Sequence, residues 1–230
     1  LADWFLSPAE RTVALERQEA VQELRDRLHL REDVALLGDD VQANVHVDLL
    51  RKWGAAPSVP FSGVTRLTAL LLSIVTPLSL IAFFAQVWPL WPFALIFGIR
   101  TIFVLRIRRK VNQVTESVDT AADDLRIVCL LLRRLERESV SAPLLVRLWS
   151  VWQSDSASAS QRIAILERWA ELLESSEHFI VRYVFGPLLL WREQIAMVIE
   201  AWRRQTGPHI GSWLAAVAEL EALLSLSTIA

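Results

Sequence analysis

The residues able to do acid–base, nucleophilic or metal chemistry are few and scattered. The four histidines are His29, His46, His178 and His209. No two of them stand at the H-E-x-x-H spacing that sets a pair of imidazoles on one helix face around zinc. Each reads as a surface or partner-bonded side chain. Cys129 is the only cysteine, so no disulfide can close within the chain. It sits in the apolar patch 128–132, which predicts a buried, inert thiol. Asp39-Asp40 and Asp123-Asp124 are paired carboxylates, and helix capping and a solvated face account for them. There is no GxxxxGK[ST] loop and no GxGxxG turn to cradle a phosphate, and the glycines occur singly. The expectation is that the chain itself holds no catalytic, cofactor or metal site.

The chemistry on offer is that of cations and indoles flanking a long apolar stretch. Hydrophobic residues make up 53% of the chain, and the excess is concentrated. Residues 67–99 contain no Asp, Glu, Lys or Arg. That is long enough for one membrane span and most of a second. The segment 67–87 would extend roughly 31 Å as a helix, close to the thickness of a hydrocarbon core, and Pro77 within it is tolerable there. Trp88-Pro89-Leu90-Trp91-Pro92 then breaks the helix and reads as a hairpin tip. Trp88 and Trp91 suit the membrane–water interface. The second pass, 93–107, is short and interrupted by Arg100, whose side chain is expected to snorkel toward the interface marked by Arg106.

Cations gather at the base. Arg51, Lys52 and Arg66 precede the hairpin, and Arg106, Arg108, Arg109 and Lys110 follow it, while the tip is uncharged. By the positive-inside rule both chain ends are cytoplasmic, at a cytoplasmic membrane. The basic run suits anionic lipid or nucleic-acid phosphate, and its place directly after a span favours lipid. The formal net charge of −2 shows no global basic bias toward nucleic acid. The bland alternative is a helical hairpin buried in a large soluble core.

The elements that position these residues read as helices throughout. Val111, Val114, Val118, Ala121, Leu125, Val128, Leu132 and Leu135 step by three and four, a heptad seam on a long helix. That helix belongs either to an antiparallel bundle or to a lever coupled to the membrane. Upstream, Ser7-Pro8-Ala9-Glu10 is a helix start for a segment reaching about Leu30. A short helix ends near Gly38, and another spans 41–53 with Gly54 as its stop. Downstream, Pro143 opens a helix to about Gln153. A polar loop covers 154–160, and Ser160 caps a helix with Ile163, Leu166, Ala170 and Leu173 on one face. The apolar run 179–191 is too short to span and reads as a buried junction. Helices over 188–204 and 212–227 are separated by Gly207-Pro208. Of the remaining tryptophans, Trp4, Trp53, Trp149, Trp152, Trp169, Trp191, Trp202 and Trp213 are assigned to packing.

The fold class is therefore all-α: a helical core and lever bundle, a two-helix transmembrane hairpin and a long heptad-patterned helix. The divisions are an N-terminal helical part (1–54), a linker (55–65), the hairpin (66–107), the lever helix (108–140) and a C-terminal helical part (141–230). Leu1 in place of Met, and an end within an apolar helical pattern, are read as a piece of a longer protein.

Two stretches carry a resemblance. The first is Leu1-Ala2-Asp3-Trp4-Phe5-Leu6-Ser7-Pro8 followed by Glu16-Arg17-Gln18-Glu19-Ala20-Val21-Gln22-Glu23-Leu24. The second is Trp213-Leu214 followed by Ala218-Glu219-Leu220-Glu221-Ala222-Leu223-Leu224-Ser225-Leu226-Ser227. In order, they resemble the core domain of the MutS-related proteins and the helix that leads from it into the ATPase domain. Trp191, Glu200-Ala201-Trp202-Arg203 and the hairpin are similar to the membrane-anchored branch of that family. The family-motif positions are Trp4, Arg17, Gln18, Val21, Glu221, Leu223 and Ser225. The resemblance implies a dimeric parent ATPase of the mismatch-repair class. ATP and Mg would be held in a P-loop domain beyond Ala230, and DNA would be a further partner of the full-length protein. The hairpin stands where that family has its DNA clamp, and no DNA-contact residues match. The rival readings are a membrane receptor or scaffold whose heptad helix dimerises, with no nucleic-acid role, and a soluble nucleic-acid-binding helical module.

Overall fold

The computed structural model describes residues 10–153, 157–175 and 186–229. Among these, the regular elements are all helices: α1 (Arg11–Arg25), α2 (Leu28–Asn44), α3 (Val47–Ala55), α4 (Gly63–Phe84), α5 (Leu90–Leu135), α6 (Pro143–Trp152), α7 (Ala159–Ser175), the single turn α8 (Gly186–Leu189) and α9 (Trp191–Ile229). The helix start proposed at Ser7-Pro8 lies outside the described residues.

The chain divides into two compact units. The first takes in the chain up to Ala55, Asp123–Ile165 and the chain from Thr206. The second takes in Ala56–Ala122 and Leu166–Gln205. Helices α5, α7 and α9 each contribute residues to both.

The core of the first unit follows helical spacing. Ala20 and Leu24 on α1, Leu30 and Val34 on α2, and Leu145, Leu148, Trp149 and Trp152 on α6 are all buried. They meet Leu125, Val128, Leu132 and Leu135 of α5 and Ile210, Trp213, Leu220 and Leu223 of α9 in the buried set. The indole N–H of Trp149 donates to the Leu135 carbonyl at 2.9 Å, and the same carbonyl accepts the Glu138 N–H at 3.0 Å, so the end of α5 is tied to α6. The indole of Trp152 donates to the Trp213 carbonyl, and the rings of Trp149 and Trp152 meet edge-on at 5.1 Å.

Several helix boundaries differ from those expected, each for a packing reason. Gly38 does not end a helix, because α2 runs through it. A Cβ there would come within 3.4 Å of a Glu221 carboxylate oxygen. Gly54 and Gly207 are helical rather than stops. A Cβ on either would lie 2.6 Å from the carbonyl oxygen of the other, so α3 and α9 touch backbone to backbone at this pair. With that contact made, α9 continues through Pro208 as a single 39-residue helix. Ser160 lies in the first turn of α7, not at its cap. The cap is Ser158, whose hydroxyl accepts from the Gln161 N–H while the Gln161 side chain accepts from the Ser158 N–H, a capping box. Asp124 is buried rather than solvated, and it accepts the His46 N–H at 3.1 Å at the head of α3.

In the second unit α4 starts at Gly63, inside the expected linker. The Ser62 hydroxyl accepts the Thr65 N–H at 3.1 Å and fixes the start. The heptad seam is real as a buried stripe: all eight positions from Val111 to Leu135 are at most 5% exposed. Helix α5 is continuous for 46 residues and ends at Leu135, short of the expected 140.

Candidate functional site

The site with the clearest physical signature lies in the second unit, on α4 and the first half of α5. Val64, Leu67, Leu71, Ile74, Leu78, Ile81 and Phe84 of α4 are exposed, as are Leu90, Trp91, Leu95, Ile99, Ile102 and Leu105 of α5. So long a run of exposed apolar side chains is far beyond the scattered leucines of an ordinary protein surface. Among the described residues three helices are long and apolar enough to cross a membrane: α4, α5, and α9 over Trp191–Thr228. In the third, half of the most apolar window is buried inside the protein, against about a fifth or less in the other two. Its apolar surface is largely used in packing.

The hydroxyls of α4 are arranged as a low-dielectric setting demands. Ser73, Thr76 and Ser79, with Ala69, form its buried face, and the helix packs against α8. Ser73 donates to the Leu70 carbonyl at 2.8 Å, Thr76 to Leu72 at 2.6 Å and Ser79 to Thr76 at 2.7 Å. Each hydroxyl is thus satisfied within its own helix.

The turn between the two helices falls earlier than the Trp-Pro segment suggested. Helix α4 closes in a Schellman motif, with Val87 N–H on the Ala82 carbonyl and Gln86 N–H on the Phe83 carbonyl, both at 3.0 Å. Gln86 takes the left-handed conformation, φ 59°, that glycine normally supplies. Of the Trp-Pro segment only Trp88 and Pro89 belong to the turn. Leu90, Trp91 and Pro92 open α5, since a proline in the first turn lacks only an N–H that has no helical partner. Trp88 and Trp91, at this end, are both exposed.

The cations separate into two kinds. Arg66, Arg106, Arg108, Arg109 and Lys110 are exposed. Lys110 Nζ donates to the Pro60 carbonyl at 3.1 Å, tying the start of α4 to α5. Arg100 differs from expectation: its side chain is buried, with the residue 7% exposed, rather than snorkelling outward. Its guanidinium carbon lies 5.4 Å from the centre of the Phe97 ring, within cation–π range, and its Nε has no hydrogen-bond partner.

A buried ion pair fixes the segment leading into α4. Arg203 holds Glu200 through two nitrogens, at 2.8 and 3.0 Å. Arg203 also donates to the carbonyls of Ala56 and Pro57, and Glu200 accepts the Val59 N–H at 2.7 Å. Both side chains are less than 10% exposed, and their hydrogen-bonding groups are engaged. The charge pair was visible in the sequence only as a one-turn Glu–Arg spacing on a helix. Its 56–59 partners lie some 140 residues away.

In the first unit the family-motif residues fall on two helices. Arg17, Gln18 and Val21 are on α1, and Glu221, Leu223 and Ser225 on α9. Leu223 is fully buried, and Ser225 donates to the Glu221 carbonyl. Trp4 lies outside the described residues, as do His178 and most of the 179–191 run. The polar residue that stands out here was not singled out from sequence. Glu23 accepts the N–H groups of Ser141 and Ala142 and the Ser141 hydroxyl, and pairs with Arg27 at 2.6 Å. Burial raises its pKa, but the Ala142 and Ser141 donors and Arg27 outweigh this and hold the carboxyl below its ordinary range. Glu23, on another helix, holds the backbone of Ser141 and Ala142 just before α6. It lines an open groove of about 440 Å³ with Glu19, Gln22, Asp26 and Pro143. Cys129 is buried and its thiol donates to the Ser160 carbonyl. Among the described residues no His, Cys, Asp and Glu groups gather as metal ligands.

No family model, curated protein or solved structure matches this chain. What fold and site define together is an all-helical protein with, among the described residues, three helices long and apolar enough to cross a membrane.

Proposed function

We propose that this chain is the core and lever region of a membrane-anchored, MutS-like ATPase. The hairpin over 66–107 anchors it, and α5 transmits movement between the anchor and the core. The observation that carries the anchor is the exposed apolar band on α4 and α5, bounded by Trp88 and Trp91 at one end and by five exposed cations at the other. A 46-residue helix that serves both the band and the buried seam supports the lever. The MutS-like part rests on the residues of α1 and α9 quoted above. Both chain ends are assigned to the cytoplasm by the charge at the hairpin base. ATP and Mg belong to the parent's ATPase domain, and the parent is a homodimer that takes DNA as a further partner. The rival scaffold reading needs a heptad seam free to dimerise, and this seam is already buried within the chain's own fold.

The test is fractionation of the full-length protein, with labelling of Leu90→Cys in a Cys129→Ser background. Resistance to carbonate extraction, with label entering only from outside, is the expected result. Extraction as a soluble protein, with the tip labelled from the cytoplasm, overturns the anchor. Full-length protein that hydrolyses no ATP would overturn the MutS-like part and leave the anchor standing.

A further inference from the structure

We propose that the base of the hairpin is a binding site for anionic phospholipid headgroups, built by Arg66 of α4 and by Arg106, Arg108, Arg109 and Lys110 of α5. The inference rests on the membrane reading above. Residues 56–115 contain no Asp or Glu, although the whole chain is net negative at −2. The collar therefore has no carboxylate from its own stretch of sequence to neutralise it, and all five of its side chains are exposed. The Lys110–Pro60 bond holds the two cationic segments together at the same end of the helix pair.

Three features select lipid as the occupant. The collar begins where the exposed apolar band stops, at Val64 and Leu67 on one helix and Leu105 on the other. A headgroup phosphate lies at that junction in a bilayer. The cations also surround α5 instead of lining one face: at 100° per residue, Arg106, Arg109 and Lys110 share a side and Arg108 lies across from them. A layer that encloses the helix meets all four, whereas a rod-like nucleic acid meets one side. Finally, the first turn of α4 holds Arg66 and no acidic residue. A cation there opposes the positive end of the helix, and a phosphate anion answers both. Guanidinium groups bind phosphate through paired hydrogen bonds, which favours arginine at four of the five positions.

The test uses the purified chain in mild detergent and in vesicles. Retention of phosphatidylglycerol is compared with that of phosphatidylcholine by native mass spectrometry, for the wild type and for Arg106→Gln/Arg108→Gln/Arg109→Gln/Lys110→Gln. The wild type should retain phosphatidylglycerol preferentially. The variant should lose that preference by roughly fivefold per cation removed, with unchanged helical circular dichroism and unchanged partition into phosphatidylcholine vesicles. Equal retention of the two lipids by the wild type overturns the proposal. So does a preference that survives in the variant. Salt-dependent binding of an oligonucleotide that outcompetes phosphatidylglycerol also overturns it and assigns the collar to nucleic acid. A chain that partitions into neither vesicle refutes the membrane reading itself, a result distinct from partition without lipid preference.

Discussion

Glu23 and Glu200 are both acidic side chains that hold distant backbone in place, and they predict different behaviour. Glu23 holds the backbone leading into α6 through Ser141 and Ala142. Glu23→Ala should lower stability by about 1.5 kcal/mol, the lower end for hydrogen bonds to a charged group. Because its folded pKa is depressed below the ordinary 4.5, its stabilisation is complete above that value. It is lost as pH falls through the lower folded value. The stability gap between wild type and Glu23→Ala should therefore be full near neutrality and narrow in acid, measured by thermal unfolding at a series of pH values. Glu200 is buried against Arg203. Removing one member strands the other charge, so Glu200→Ala should cost about 3–5 kcal/mol. The double variant Glu200→Leu/Arg203→Met should cost less than the single one. A double variant worse than the sum of the singles would show that the pair's geometry, not its charge balance, fixes residues 56–59.

At the scale of elements, α9 and α5 behave unlike the segments their local signals describe. Gly207-Pro208 carries a strong stop signal, yet α9 passes through it. Gly207 is needed for its lack of a side chain, since α3 approaches with the Gly54 carbonyl where a Cβ would be. Gly207→Ala should destabilise by about 1–3 kcal/mol, as overpacking does, although alanine is the better helix former. Stabilisation by this change in a denaturant titration would show that the two helices do not touch there. Along α5, the three-and-four spacing of valine and leucine predicted a buried stripe, and every seam position is buried. Whether the stripe met a partner chain or the chain's own helices was open in the sequence, because a heptad specifies an apolar face and not its occupant.

At the scale of the whole molecule, the exposed apolar band makes a prediction about Arg100. In a bilayer, a charge in the middle of a span raises the insertion cost by about 2.5–3.5 kcal/mol. Arg100→Leu should therefore raise the fraction of hairpin that inserts in a translocation assay. In a soluble fold the same change would remove the contact with the Phe97 ring and only lower stability. An unchanged inserted fraction together with reduced stability would argue that the band is covered by protein.

The sequence by itself determined the all-helical class, the position of the apolar band, the cations at its base and the seam of α5. These are set by composition and by periodicity over many residues, and summed burial makes such signals strong. The tertiary structure decided where helices continue through Gly38, Gly54 and Gly207-Pro208, how Arg100 is buried, and that Glu23 holds backbone 118 residues away. A glycine stop is a local preference of about 1 kcal/mol and a proline one of about 3 kcal/mol, and packing between helices exceeds both. A hydrogen bond or an ion pair formed across long separations leaves no mark in either neighbouring segment, because neither partner's local sequence records the other.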